Sequence, residues 1–120
     1  MFGDSHIHLT HSLFDGTVPC IVCSKEIERI KYLDRPQLIK EFRDNDILFC
    51  IESGIDLESN YKILKLANQY PDFLFPAIGV HPTRAPQTKW CKRKEPLSLK
   101  ENPSVIAIGE LGLDYHYTAV

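Results

Sequence analysis

No apolar run in this 120-residue chain is long enough to cross a bilayer. Its N-terminus, Met1-Phe2-Gly3-Asp4, lacks the basic region and apolar segment of a secretory signal. Neither sign of charge is in excess: 14 Lys and Arg stand against 16 Asp and Glu, a net charge of −2. An anionic partner is therefore not attracted by the chain as a whole and has to be held locally. There is no internal repeat and no low-complexity tract. These absences make a cytoplasmic protein the default, and the four cysteines are then expected as reduced thiols rather than as a disulfide framework. What is present is ordinary for a globular protein: a hydrophobic fraction of 43% and enough chain for one domain with a core.

The pattern along the chain alternates. Residues 2–9 read as a strand. Residues 10–31 mix Gly16, Pro19, Cys20 and Cys23 without clear periodicity and read as a loop with a short helix. Asp34 is an N-cap with Pro36 in the first helical turn, followed by a Leu38/Ile39/Phe42 stripe at helical spacing. Residues 47–51 form a second buried strand, ending at Glu52-Ser53-Gly54. Asp56 caps a helix with Ile63, Leu64, Ala67 and Tyr70 on one side, stopped by Pro71. Residues 73–80 are a third strand interrupted by Pro76. A polar loop with a basic run around Trp90 follows, then a short helix over 97–102. Residues 105–108, Val-Ile-Ala-Ile, have the composition of a strand buried on both faces, as in a parallel sheet.

The resulting βαβαβαβ order predicts an α/β fold with a parallel sheet and right-handed crossovers. The last three strand ends, near positions 52, 80 and 110, are about 30 residues apart, the pitch of a βα unit in a (β/α)8 barrel. Four such strands make about half of a barrel. The whole chain, residues 1–120, is read as one such domain.

Residues suited to chemistry fall at the C-terminal ends of these strands, where α/β folds bind ligands. His6 and His8 are two apart on a strand, so both imidazoles share a face within reach of one metal ion. Glu110 follows the last strand directly, where a carboxylate has no packing role; it can bridge divalent cations. Glu52 ends the second strand. His81 ends the third and is either a ligand, a donor to a substrate oxyanion, or a strand-end cap. Asp4 is placed to orient a ligand histidine. Mixed imidazole and carboxylate ligation suits zinc or manganese, with magnesium allowed if waters complete the shell.

Three segments carry a resemblance: Gly3-Asp-Ser-His-Ile-His-Leu9, Ala77-Ile-Gly-Val-His-Pro82 and Ala107-Ile-Gly-Glu-Leu-Gly-Leu-Asp-Tyr115. In order and spacing they resemble the N-terminal motifs of the TatD family, metal-dependent hydrolases of the amidohydrolase superfamily with a TIM-barrel fold. Many members are deoxyribonucleases. The resemblance implies that His6 and His8 bind a first metal, that Glu110 bridges it to a second, and that His81 lies near the scissile phosphate. It also implies DNA as substrate and hydrolysis by metal-activated water. The family draws two further histidines and an aspartate from later strands, and no counterparts occur here. A half barrel would then expose its first and fourth strands as apolar edges, to be covered by self-association or by a complementary half.

Other signals are weaker. Arg84, just after His81-Pro82, suits a phosphate contact. Lys89, Lys92, Arg93 and Lys94 around Trp90 suit a nucleic-acid strand or a solvated loop. Asp114 suits a substrate contact, a supporting role or a turn cap. Tyr115 and Tyr117 either pack or touch a nucleotide. Cys20 and Cys23 form a C-x-x-C, redox-active or half of a zinc site in some chains. Competing functions are therefore a non-catalytic half barrel, a hydrolase of small esters or amides on the same metal site, and a thiol or zinc module.

Overall fold

The computed structural model describes residues 1–24, 27–88 and 98–117. In chain order the elements are strand β1 (Phe2–Ile7), strands β2 (Val18–Ser24) and β3 (Ile27–Leu33), helix α1 (Arg35–Asp44), strand β4 (Ile47–Ser53), helix α2 (Leu57–Ala67), strand β5 (Leu74–Ile78) and strand β6 (Ala107–Ile108). Short 3-10 turns lie at Ser12–Phe14 and Ala85–Gln87. Strands β1, β4, β5 and β6 form one sheet in that order, parallel throughout, and β2 pairs with β3 in a separate antiparallel hairpin. The parallel sheet curls, and with its helices it forms the first half of a TIM barrel. Among the described residues no helix is long and apolar enough to cross a membrane.

Both helices begin where their caps predict. The Asp34 carboxylate accepts the Gln37 amide at 2.9 Å, and the Gln37 side chain accepts the Asp34 amide at 3.0 Å. Asp56 and Ser59 make the same reciprocal pair at the head of α2, both bonds at 2.8 Å. Such caps satisfy amides that have no intrahelical partner, each contributing about 1 kcal/mol. Leu38 and Ile39 of α1 and Ile63, Leu64 and Ala67 of α2 are buried. Leu38, Ile39 and Ala67 pack with Cys50, Phe73, Leu74, Leu33 and Leu9 into the main core. The helices thus cover one face of the sheet. On the other face the Phe49 and Phe75 rings meet edge to face, centroids 6.2 Å apart.

Several expectations change. Residues 10–31, expected as a loop with a short helix, hold only the 3-10 turn at Ser12–Phe14 as helix among the described residues, and Val18–Ser24 and Ile27–Leu33 are paired antiparallel strands. Val18, Cys20, Tyr32 and Leu33 belong to paired strands, and Pro19 sits opposite Tyr32. A two-stranded sheet has only edge strands, so a proline lacking its N–H is tolerated there. Strand β1 ends at Ile7 rather than Leu9. Strand β6 is only two residues long and both are exposed, Ile108 to 44%. Pro76 lies inside the sheet. Its carbonyl accepts the Ile106 amide at 3.0 Å, so its missing N–H faces the side where β6 is shortest. The helix expected over 97–102 lies partly outside the described residues; 98 and 99 are helical in a turn.

Candidate metal centre

The curl of the sheet makes the site. Flat, four strands at about 4.8 Å spacing would separate the first from the last by about 14 Å. Yet His6 on β1 and Glu110 just after β6 are in contact, Nε2 to Oε1 at 2.9 Å. His8 Nε2 lies 4.0 Å from the same carboxylate oxygen and 3.1 Å from His6 Nε2. One ligand-type atom from each of His6, His8 and Glu110 therefore falls within 4.8 Å of the others.

The backbone beneath them is pinned. The Glu110 amide donates to the Gly54 carbonyl at 3.0 Å, so the end of β6 is tied to the end of β4 across β5. Between them Gly79 has no room for a side chain, because a Cβ would strike the Glu110 carbonyl oxygen. Gly79 is itself clamped by the fully buried Asn60 of α2, whose amide donates to its carbonyl at 2.9 Å and accepts its N–H at 3.1 Å. Gly54 leaves space for that amide, since a Cβ there would strike Asn60 Oδ1.

Ser53 sets the rings. Its carbonyl lies 3.0 Å from His8 Nδ1, and its hydroxyl lies 3.4 Å from His6 Nδ1. A carbonyl only accepts, so a neutral His8 carries its proton on Nδ1 and turns a bare lone pair on Nε2 toward His6 and Glu110. Supporting bonds of this type fix the tautomer of metal-ligating histidines. With His6 also deprotonated on Nε2, three electron-rich atoms would converge here and a shared cation would relieve their repulsion. The donor set therefore fits a divalent ion with mixed nitrogen and oxygen ligation.

His81 has the opposite tautomer. The Thr83 amide donates to its Nδ1 at 3.2 Å, and the Thr83 hydroxyl lies 2.7 Å from the same atom. An accepting Nδ1 puts the proton of the neutral ring on Nε2, which lies 3.8 Å from Glu110 Oε2. His81 thus presents an N–H donor at the rim of the cluster rather than a lone pair.

The remaining candidates sit apart from the ligand atoms. The Asp4 carboxylate accepts the His6 backbone amide at 3.0 Å, so it holds main chain and not an imidazole. Arg84 is exposed and, with His8, borders an open cleft of about 290 Å³. The Asp114 carboxylate accepts the amides of His116 and Tyr117 at 2.8 and 2.9 Å, and these two bonds, Tyr117's the stronger influence, hold it below the usual carboxylate range. It caps a turn. Glu52 does not face the cluster. Fully buried, it accepts the Leu9 amide, the Thr10 amide and the Thr10 hydroxyl, each at 2.7 Å, and so anchors the chain just beyond His8. The basic run at 89–94 lies outside the described residues. Cys20 and Cys50 are free thiols, and burial pushes the Cys50 thiol up to about 11, away from reactivity. Ser53, Asn60 and Thr83 escape sequence reasoning because an amide or hydroxyl carries no pattern that marks it as a second layer.

A half (β/α)8 barrel with a His-x-His pair and a carboxylate at the C-terminal ends of its strands is the architecture of a barrel metal site. The model of the TatD-related DNase family matches residues 3–119, and the chain belongs to that family. It is 32% identical over 83 residues to a 3'-5' ssDNA/RNA exonuclease TatD of Erwinia tasmaniensis, covering 69% of this chain and 32% of that protein. The counterpart of the same name in Edwardsiella piscicida is 34% identical over 82 residues, covering 68% and 32%. A Mycoplasma genitalium protein named as an uncharacterized metal-dependent hydrolase is 41% identical over 68 residues, covering 54% and 26%. The chain thus spans about a third of the length of the curated relatives it matches.

Proposed function

We propose that this chain contributes to a divalent-metal hydrolase that cleaves phosphodiester bonds in DNA. The observation that carries the reading is the meeting of His6, His8 and Glu110 within 4.8 Å, from opposite ends of a four-stranded sheet. In this reading His6 and His8 would supply the nitrogen ligands and Glu110 the anionic one. A bound zinc, manganese or magnesium ion would supply a water acidified to near-neutral pH and positive charge against the phosphate oxygens. His81 donates its Nε2 proton as a hydrogen bond to a non-bridging oxygen as charge develops there. Arg84 holds a neighbouring phosphate from the adjoining cleft, and Asp4 keeps the His6 backbone in place. A cytoplasmic setting suits the free thiols. Support comes from the family match and from relatives named as single-strand exonucleases.

Titration calorimetry with Zn²⁺ and Mn²⁺, on the chain and on Glu110→Gln, tests the ligand set. Loss of even a supporting partner costs roughly 10–100-fold in affinity, so the variant is expected to lose at least tenfold. Equal affinities would sink the ligand assignment. Chelator-sensitive hydrolysis of bis(p-nitrophenyl) phosphate, absent with p-nitrophenyl acetate, is the expected activity; the reverse preference would move the substrate to small esters.

A further inference from the structure

Beyond Glu110 the chain makes a turn whose side chains the metal chemistry does not use. Leu113, Tyr115 and Tyr117 are 79%, 78% and 79% exposed, an unusual concentration of bare apolar surface in five residues. With His81, Pro82 and His116 they border an open cavity of about 500 Å³. The turn is not loose: the Asp114 carboxylate binds two of its amides, and the His116 and Tyr117 rings brace each other edge to face, centroids 4.5 Å apart. At its start Gly112 has φ 153°, a conformation that favours glycine.

We propose that this cavity is a nucleobase-stacking subsite, in which Tyr115 and Tyr117 take the base attached to the phosphate held at the His6/His8/Glu110 cluster. The proposal rests on the nucleic-acid reading above and names how that substrate is gripped. His81 is the link. Its ring walls the cavity and also points Nε2 at Glu110, so whatever fills the cavity lies one residue's width from the cluster. A phosphodiester anchored at the cluster carries a sugar and a base, and the base needs a flat apolar partner. Aromatic faces supply it, tolerate any base, and work only on bases that are already unstacked. The polar lining differs between the two openings: Lys62 and Arg84 border the cleft shared with His8, beside Asp56 and Glu58, whereas the tyrosine cavity is lined by no Lys or Arg and by the single carboxylate of Asp114. The tyrosine cavity therefore suits an uncharged base better than a phosphate.

Anisotropy of fluorescein-labelled tetrathymidylate with phosphorothioate linkages that resist cleavage, with the whole chain loaded with Mn²⁺, tests this against an abasic tetrahydrofuran tetramer of the same linkage and charge. The thymidylate strand is expected to bind about tenfold more tightly, the scale of one to two stacked bases. Tyr115→Ala/Tyr117→Ala is expected to erase that preference, and Tyr115→Phe/Tyr117→Phe to keep it; both pairs are exposed, so folding is spared. Equal binding of the two strands by the native chain, no binding of either, or a preference that survives the alanine pair would overturn the subsite. Hydrolysis of bis(p-nitrophenyl) phosphate by the metal-loaded native chain reports separately on the phosphodiesterase reading, because that substrate carries no nucleobase.

Discussion

Glu52 shows how a carboxylate can look catalytic and be architectural. It ends a buried strand, as Glu110 does, but all three of its hydrogen-bond donors come from Leu9 and Thr10. Burial raises its carboxyl above the usual 4.5, and the bonds from Thr10 and Leu9 pull it back only in part. The folded state therefore keeps this proton to higher pH than the unfolded chain does. Its contribution to stability is complete below pH 4.5 and declines as pH rises through the folded value. Glu52→Gln turns one acceptor into a donor facing the Leu9 or Thr10 amide, and is expected to cost about 2 kcal/mol. Because the variant cannot titrate, its deficit against the native chain should be greatest near pH 4.5 and shrink as pH rises. Urea unfolding at several pH values measures this; a deficit that widens with pH would show the sign to be wrong.

At the scale of elements, the site depends on a stack that runs from helix to strand end: Asn60 of α2 clamps Gly79 beyond β5, and Gly79 lies flat against the Glu110 backbone. Gly79→Ala puts a methyl group into backbone, which cannot rotate away. It is expected to lower divalent-metal affinity about tenfold by displacing Glu110, the scale seen when a ligand's support is lost, and to lower the melting temperature. Calorimetry and thermal melting together check it, and unchanged metal affinity would mean that Glu110 is placed by other contacts. The same elements show what the sequence could reveal. Helices α1 and α2 were legible because Asp34 and Asp56 cap them and their apolar residues recur at helical spacing. Strands β4 and β5 were legible as apolar runs, and His6, His8, His81 and Glu110 as titratable groups at strand ends. The hairpin was not, because Gly16, Pro19 and the cysteines mask its alternation, and its Ile21, Ile30 and Tyr32 face solvent where no core imposes a period. Nor was the tautomer difference between His8 and His81. It rests on a Ser53 carbonyl and a Thr83 amide, backbone groups that nearly every residue carries.

For the whole molecule, the parallel sheet has two open edges among the described residues. Strand β1 leaves Phe2 70% exposed, and about half of Ile108 in β6 and of Ile106 just before it is exposed. Unpaired apolar edges invite pairing with another chain, so this polypeptide by itself is expected to self-associate as its concentration rises. Sedimentation velocity should show this, with Phe2→Lys/Ile106→Lys shifted toward monomer; a monodisperse native monomer would mean that the edges are not adhesive. The strand order has one further consequence. Strands β1, β4, β5 and β6 lie side by side in the order in which they are made. A ribosome can therefore release this sheet like courses of brick, each strand laid against the one before and none inserted later between two neighbours. His6 and His8 emerge with the first course and Glu110 just after the fourth. A nascent chain would not bring His6, His8 and Glu110 together until these four strands were in place, and metal capture by the three would follow the laying of this sheet rather than guide it.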